Sequence, residues 1–399
     1  MTASAPDTAP DRVADWIRLI EARYPARDAQ SWDAPGLQVG DPRDEVHRVL
    51  VCLDVTEATL AEAAQHGADL VLAHHPLLFR PLARLTPDSA PGRLALAAAR
   101  AGVSVHAAHT NLDAGTPGTT EPITDALGLD PATLRPLQPV AAPGKRKLVT
   151  FVPVEDTLRV LGALSEAGAG VIGAYDHCGF RVQGTGSFRP SPEANPHLGQ
   201  VGSVNEVTED RLEVELAPSD VERVVAALWE AHPYEEVAYD VYPLEVPDAA
   251  SGKGLGRVGD LPEPRPLRWV ADRVAAHVPA PHLRLAGDPD QPVRRIAALG
   301  GSGDGLIDAA LAAQADCYVT GDLRHHPTLD ARTQGLALVD AGHGAVEGAA
   351  LARVAAALTD DARHAGLQAQ VVLSQAPTEP WAPYRPVTGA HHPDGEEDR

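Results

Sequence analysis

The sequence predicts an α/β protein: two similar α/β halves form one core domain, and an inserted ferredoxin-like α+β domain interrupts it. Three observations carry this. Val49 to Pro76 reads strand, loop, helix, Ala-Asp, strand, His-His-Pro, and Arg295 to Pro327 repeats the order. Residues 145–245 carry two strand–helix–strand units in tandem, the pattern of a ferredoxin-like domain. Pro139 to Lys145 and Pro247 to Gly256 are rich in Pro, Gly and polar residues and read as boundaries. The expected division is 1–140 for the first half, 145–245 for the insert, 250–375 for the second half and 376–399 for a flexible tail.

In chain order, residues 1 to 10 read as frayed. Asp11 to Glu21 places Val13, Trp16, Ile17 and Ile20 at helical spacing. Trp32 to Gly40 reads as loop and short strand, and Val49 to Leu53 as a strand. Asp54 and Thr56 are placed to cap the helix that runs through His66 and ends at Gly67. Asp69 to Leu72 is a buried parallel strand, followed by a helix over 91–101 and a strand Val103 to His106, with right-handed crossovers. In the insert, strands are expected at 147–152, 171–182, 211–216 and 237–244, helices at 155–167 and 219–231, and a Gly/Ser/Pro-rich excursion at 183–205. In the second half the pattern is strand Ile296 to Leu299, loop Gly300 to Gly305 and helix Leu306 to Gln314. Strands Cys317 to Thr320 and Leu336 to Asp340 follow, then a helix Val346 to Leu358. The glycine loop between strand and helix can cradle an anion or serve tight-turn packing, and it lacks Walker or dinucleotide spacing.

Composition narrows the function. The 399 residues are 44% hydrophobic but only 4% aromatic, so the core must be built from Ala, Leu and Val. No apolar run approaches the roughly 18 residues needed to span a bilayer. Met1 to Arg12 lacks the basic-then-apolar pattern of a signal peptide. The three cysteines, Cys52, Cys178 and Cys317, fit buried free thiols in a reducing cytoplasm better than a disulfide framework or a zinc motif. A formal net charge of −22 argues against nucleic acid held by non-specific charge.

The chemistry gathers at element ends. His74 and His75 follow a buried parallel strand, where open α/β sheets place ligands. Neighbours in extended backbone point to opposite sides, so the pair suits two different metal ions rather than one. Asp113 follows the next strand of the same half. His343 and Glu347 are four apart, which on a helix sets imidazole and carboxylate on one face, about 6 Å apart. Taken singly, these are also a solvated strand end, a turn aspartate and a helix-capping acid. Together, His74, His75, Asp113, His343 and Glu347 suit two divalent ions bridged by a carboxylate and a water, with Glu347 the better bridge. Such mixed donors accept Zn, Fe, Mn, Co or Ni.

Seven stretches then resemble a known family, the NIF-three-like dinuclear metal proteins often labelled GTP cyclohydrolase 1 type 2 homologs. They are Trp32-Asp33 with Gly36-Leu37-Gln38-Val39-Gly40, Ala73-His74-His75-Pro76, His109-Thr110-Asn111-Leu112-Asp113, Gly254-Leu255-Gly256-Arg257-Val258-Gly259, Gly300-Gly301-Ser302-Gly303, Thr320-Gly321-Asp322 with His325-His326, and Gly342-His343 with Glu347. They cover residues 30–130 and 250–350 in the family's order. The sequence departs at Ala34-Pro35, where the family usually carries Asn and then a small or apolar residue. The resemblance implies that His74, His75, Asp113, His343 and Glu347 are the metal ligands, two ions per chain. It also implies a toroidal homohexamer whose metal sites face an internal cavity. The insert looks like PII and CutA folds that sit over the ring openings.

Other histidines have open roles. His109 could hold a ligand or donate a proton, or simply pack at a strand end. His325 and His326 mirror His74 and His75 in the repeat and could act as acid/base groups. His232-Pro233-Tyr234-Glu235-Glu236 reads as a turn or oligomer contact, and His391-His392 as tail. The function expected is a metal-dependent hydrolase whose metal-bridging hydroxide attacks a phosphoester or a C–N bond of a purine nucleotide. The alternative is a non-enzymatic metal-handling or regulatory scaffold whose insert senses a small ligand.

Overall fold

The computed structural model describes residues 10–140, 144–244 and 252–382. The chain divides into two compact units, residues 1–140 with 252–399 and residues 141–251. The histidine pair of the tail, His391-His392, and most of the expected flexible segment lie outside the described residues.

The first unit is built on two sheets. In one, Gln370–Leu373, Arg48–Cys52, Leu70–Ala73 and Ser104–Ala107 run parallel in that order, and Gly36–Val39 adds an antiparallel edge. In the other, Pro292–Ser302, Cys317–Gly321 and Ala337–Asp340 are parallel neighbours. Arg284–Ala286, Gly254–Pro266 and Arg135–Pro139 extend that sheet antiparallel. The sequence repeat is therefore a structural one: each half holds three consecutive parallel strands linked by helices. The shared Ala-Asp has a physical role in both. Asp69 Oδ2 accepts from the backbone N–H groups of His47 and Arg48, and Asp316 Oδ2 from those of Arg294 and Arg295. Each aspartate thereby pins the start of the preceding strand.

Strand residues alternate between faces, and helices bury both. Val49, Val51, Leu70 and Leu72 pack on Trp16 and Ile20 of helix Val13–Arg23. Leu50, Cys52, Val71 and Val105 pack on Ala63 and Ala98 of helices Glu57–His66 and Ala90–Ala101. The longest helix, His343–Ala365, joins the halves. Its Val346 lies in the core of the second sheet with Ile296, Cys317 and Val319, while Leu351, Val354 and Leu358 lie in the core of the first. This helix starts three residues before the expected Val346, because Gly342 at φ 83 turns the chain straight out of strand Ala337–Asp340. It also runs seven residues further than expected, since no breaker precedes Gly366, which caps it in the left-handed conformation. Cys52 and Cys317 are buried, but Cys178 is only half-buried, and none of the three is in a disulfide.

The second unit runs strand–helix–strand–strand–helix–strand. Its sheet order is Tyr239–Leu244, Lys145–Pro153, Asn205–Leu216, Gly179–Phe188, with every neighbour antiparallel. Helices Thr157–Glu166 and Val221–Ala231 cover one face through Val160, Leu164, Val224 and Leu228 on Leu148, Val152, Leu212 and Val214. The strand expected at 171–182 lies instead at Gly179–Phe188, and its partner starts at Asn205 rather than 211. Gly170 at φ 72 and a tight Ile172–Tyr175 turn delay the start. The hairpin is largely exposed, so no apolar alternation marked it. No described helix is long and apolar enough to cross a membrane.

Candidate metal centre

Backbone pairing aims the two adjacent histidines. The N–H of His74 donates to Cys52 O (3.0 Å) and that of His75 to Leu53 O (2.9 Å), which continues the parallel ladder past Ala73. Both rings nevertheless come together in one donor cluster, with centroids 5.0 Å apart and planes tilted by 47°. His74 is buried and His75 half-buried. Helix Thr110–Ala114 supplies buried Asp113, and the start of helix His343–Ala365 supplies His343 and buried Glu347.

Glu347 lies between two groups. Its Oε1 is 3.3 Å from His74 Nε2, which is 3.6 Å from Asp113 Oδ1. Its Oε2 is 3.0 Å from His75 Nε2 and 3.1 Å from His343 Nε2. Donor atoms of His74, Asp113 and Glu347 all lie within 4.8 Å of one another, as do those of His75, His343 and Glu347. A third such group is His74, His75 and His109.

The other ring nitrogen of each histidine decides what these atoms can be. His74 Nδ1 lies 3.1 Å from Ala108 O, which can only accept, so that nitrogen carries the proton. His75 Nδ1 pairs with Asp54 Oδ1 (2.7 Å), His343 Nδ1 with Asp322 Oδ2 (2.8 Å) and His109 Nδ1 with Asp33 Oδ1 (2.8 Å). A neutral imidazole protonated at Nδ1 presents a lone pair at Nε2. Four lone pairs and the oxygens of Asp113 and Glu347 thus converge with few protons among them. His75 Nε2 and His343 Nε2 face each other at 3.3 Å. Among the described residues, buried His74 Nε2 and Glu347 Oε2 have no hydrogen-bond partner. A buried set of acceptors without donors is costly alone and fits a cation.

Without a cation, protons take its place. Burial pushes the His75 pKa down, but Asp54 and Glu347 outweigh it and lift it to about 10. Burial also opposes His343, which Glu347 and Asp322 lift to about 9. Glu347 stays ionised well below the ordinary range: burial works against it, but the imidazoles of His74, His343 and His75 prevail. Burial raises Asp113, against the pull of His74 and the bond from Thr119 Oγ1 (2.5 Å).

Three carboxylates that orient the ring nitrogens were not assigned to the metal site in the sequence. Asp54 was expected to cap a helix. Thr56 does that alone, accepting from Thr59 N (3.1 Å), which frees Asp54 for His75. Asp33 and Asp322 stand inside stretches already singled out, next to Trp32 and after Thr320-Gly321. His325 and His326 are exposed at the start of helix His325–Thr333, meet edge to face with centroids 5.1 Å apart and belong to none of the three groups. Their repeat partners follow the strand end directly, whereas Asp322-Leu323-Arg324 intervene here. Asp322 therefore takes the strand-end position. The glycine loop serves close packing: Gly301, at φ +89, lies against Glu347, where an added Cβ would meet Oε1 at 2.4 Å.

The match to the family model of Duf34/NIF3 (NGG1p interacting factor 3) runs over residues 12–380. A GTP cyclohydrolase 1 type 2 homolog of Mycobacterium tuberculosis is 42% identical over 375 residues, 93% of this chain and 96% of the relative. The protein of that name from Bacillus subtilis is 41% identical over 327 residues, 82% of this chain and 87% of the relative. A crystal structure of a Bacillus cereus protein related to NIF3 superposes with a TM-score of 0.77 at 37% identity, covering 94% of this chain and all of that one. By sequence and by fold, the chain belongs to the Duf34/NIF3 family.

Proposed function

We propose that the protein is a metal-dependent hydrolase with two divalent ions per chain, acting on a phosphoester or a nucleotide. The observation that carries this is Glu347, a buried carboxylate shared by two sets of convergent acceptors. His74 and Asp113 would hold one ion and His75 and His343 the other, with Glu347 common to both. Zn, Fe, Mn, Co and Ni all suit such donors. Bound ions would lower the pKa of a water and stabilise an oxyanion. The chain's own residues supply the rest. Asp54 and Asp322 orient the imidazoles of His75 and His343. His109, fixed by Asp33 at Nδ1, presents the Nε2 lone pair to the donor cluster, where it would take a proton from the attacking water and pass it to the leaving group. Trp32 and Phe79, both exposed, stand with ring centroids 6.1 and 6.3 Å from that of His109 and offer an aromatic wall to a flat substrate ring. The relatives' name, GTP cyclohydrolase 1 type 2 homolog, supports a nucleotide. His325 and His326 have no part in this reading.

Two structural expectations join the proposal. We read the second unit as ferredoxin-like, on its element order and antiparallel sheet. The assembly is a toroidal homohexamer. Light scattering should then give six times the 41.8 kDa chain mass; a monomer would end that part. The function is tested by metal analysis of protein purified without chelator, then by assays on nucleotide and phosphoester panels. About two ions per chain and turnover are expected. Turnover that survives loss of both His343 and Glu347, or is absent with every metal, refutes it.

A further inference from the structure

The second unit contains a cavity of about 670 Å³ that belongs to no part of the metal centre. It lies beside the sheet face that the two helices leave open. Glu209, Arg211 and Phe151 share that face, since Arg211 pairs with Phe151 and residues i and i+2 of a strand point the same way. The Gly/Ser/Pro-rich excursion supplies a wall through Pro190, Pro196 and Leu198. That excursion is fastened at both ends. Gly202 N–H donates to Pro190 O (2.9 Å), Asn205 holds Gln200 from both sides of its amide, and Asn195 N–H donates to Glu235 Oε1 (2.7 Å). The cavity is a built one, and its size is that of a small-molecule site.

Most of the lining surface is apolar, and Glu209 alone among the polar lining residues is buried. Glu209 is 8% exposed. Its Oε1 accepts from Tyr234 O–H at 2.9 Å, so the segment read as a turn also positions a cavity carboxylate. Its Oε2 accepts no hydrogen bond among the described residues. The wall beside it is bare: a Cβ on Gly186 would meet Glu209 Oε2 at 2.0 Å, and a Cβ on Gly184 would project into open space. An ionised carboxylate only accepts, so its free oxygen calls for a donor. Glu235 and Glu236 also line the cavity, so with Glu209 three carboxylates face the guanidinium groups of Arg189 and Arg211, and that of Arg211 is drawn to Glu213 at 2.9 Å; the balance favours a cation.

We propose that this cavity binds a small cationic amine with an apolar, ring-sized body, its ammonium received by Glu209 Oε2 and its body by Phe151, Phe188 and Leu198. The site is independent of the metal centre. The test is calorimetric titration of the full-length protein with tryptamine, phenethylamine and cyclohexylmethylamine, and with indole-3-propionate as an acid of similar body. At least one amine should bind and the acid should not. Glu209→Gln should weaken the amine at least tenfold. Gly184→Leu, which keeps an ordinary backbone and fills the space, should abolish binding without changing the thermal midpoint. Glu347→Gln should leave amine binding intact, so failure of the metal reading and failure of this one are separable. No binding of any amine, equal binding of the acid, or wild-type affinity in Gly184→Leu overturns the proposal.

Discussion

Gly301 stands at φ +89, and a Cβ built on it lies 2.4 Å from Glu347 Oε1. Ordinary contact begins at 3.4 Å, so in Gly301→Ala the carboxylate must retreat by about 1 Å. Metal–ligand distances tolerate only about 0.2 Å. A shift of that size withdraws Glu347 from both donor groups, because both share it. The left-handed backbone adds about 1–2 kcal/mol of strain for an alanine. At about 2–4 °C per kcal/mol for a domain of a few hundred residues, the metal-free midpoint should fall by about 2–8 °C. Gly305→Ala is the control, since nothing lies within 4 Å of its Cβ and its φ is ordinary. The assay is metal content per chain by mass spectrometry after purification without chelator, with calorimetric midpoints before and after metal removal. Gly301→Ala should lose most of its metal and Gly305→Ala none. Wild-type metal content in Gly301→Ala would refute the placement of Glu347 at the heart of the centre.

Removing a carboxylate that orients a ring should loosen the centre without emptying it: Asp54→Ala and Asp322→Ala should each weaken metal binding about 10–100-fold in a competition titration, and an unchanged affinity counts against the orienting role. The metal-free protein should show a pH signature. His75 and His343 have folded pKa values of about 10 and about 9, above the ordinary 6.5, so the folded state holds more protons than the unfolded chain in between. Their stabilisation is complete below about pH 6.5 and is lost as pH rises through 9 and 10. Midpoints of chelator-treated protein should fall across that window, and a double His75→Ala/His343→Ala variant should flatten the profile. Metal needs the same imidazoles neutral, so metal affinity should rise over the same range; a pH-independent affinity from pH 6.5 to 9 would exclude ligation through these rings. Trp32→Ala should weaken binding of an aryl phosphate more than that of an alkyl phosphate, by about tenfold on the scale of one lost ring contact, and equal losses would remove the aromatic wall from the proposal.

Much of the centre could be read along the chain because it hangs on element ends. A buried strand stops at His74-His75, and a helix start sets His343 and Glu347 one turn apart. Those are local facts, and local spacing states them. The groups that complete the site are not local. Asp54 sits where a helix cap belongs, and only the neighbouring Thr56, by doing that job, shows that Asp54 is free to hold His75. Asp322 comes to His343 across two strand ends. The closeness of Gly301 to Glu347 is a distance between a strand end and a helix start and leaves no trace in composition. The repeat also misled by a small offset: three residues between strand end and His325-His326 carry that pair into an exposed helix start. In the insert, the hairpin 179–216 was hard to place because one face is open and carries Gly and Thr where a core strand would show apolar alternation.

His75 and His343 touch across 268 residues of sequence. Three of the five donors are made before the insert and two after it, and the last helix must emerge before the second set exists. At about 5–20 residues per second, the ribosome leaves the first histidines waiting on the order of 10–50 s for their partners. On the proposed metal reading, full loading would wait for the end of synthesis. A chain that stops short of the last helix presents at most His74, His75, His109 and Asp113, and neither group that contains Glu347 exists in it. The fold so dates the site: both of those donor groups are complete only once the chain has been translated past Glu347.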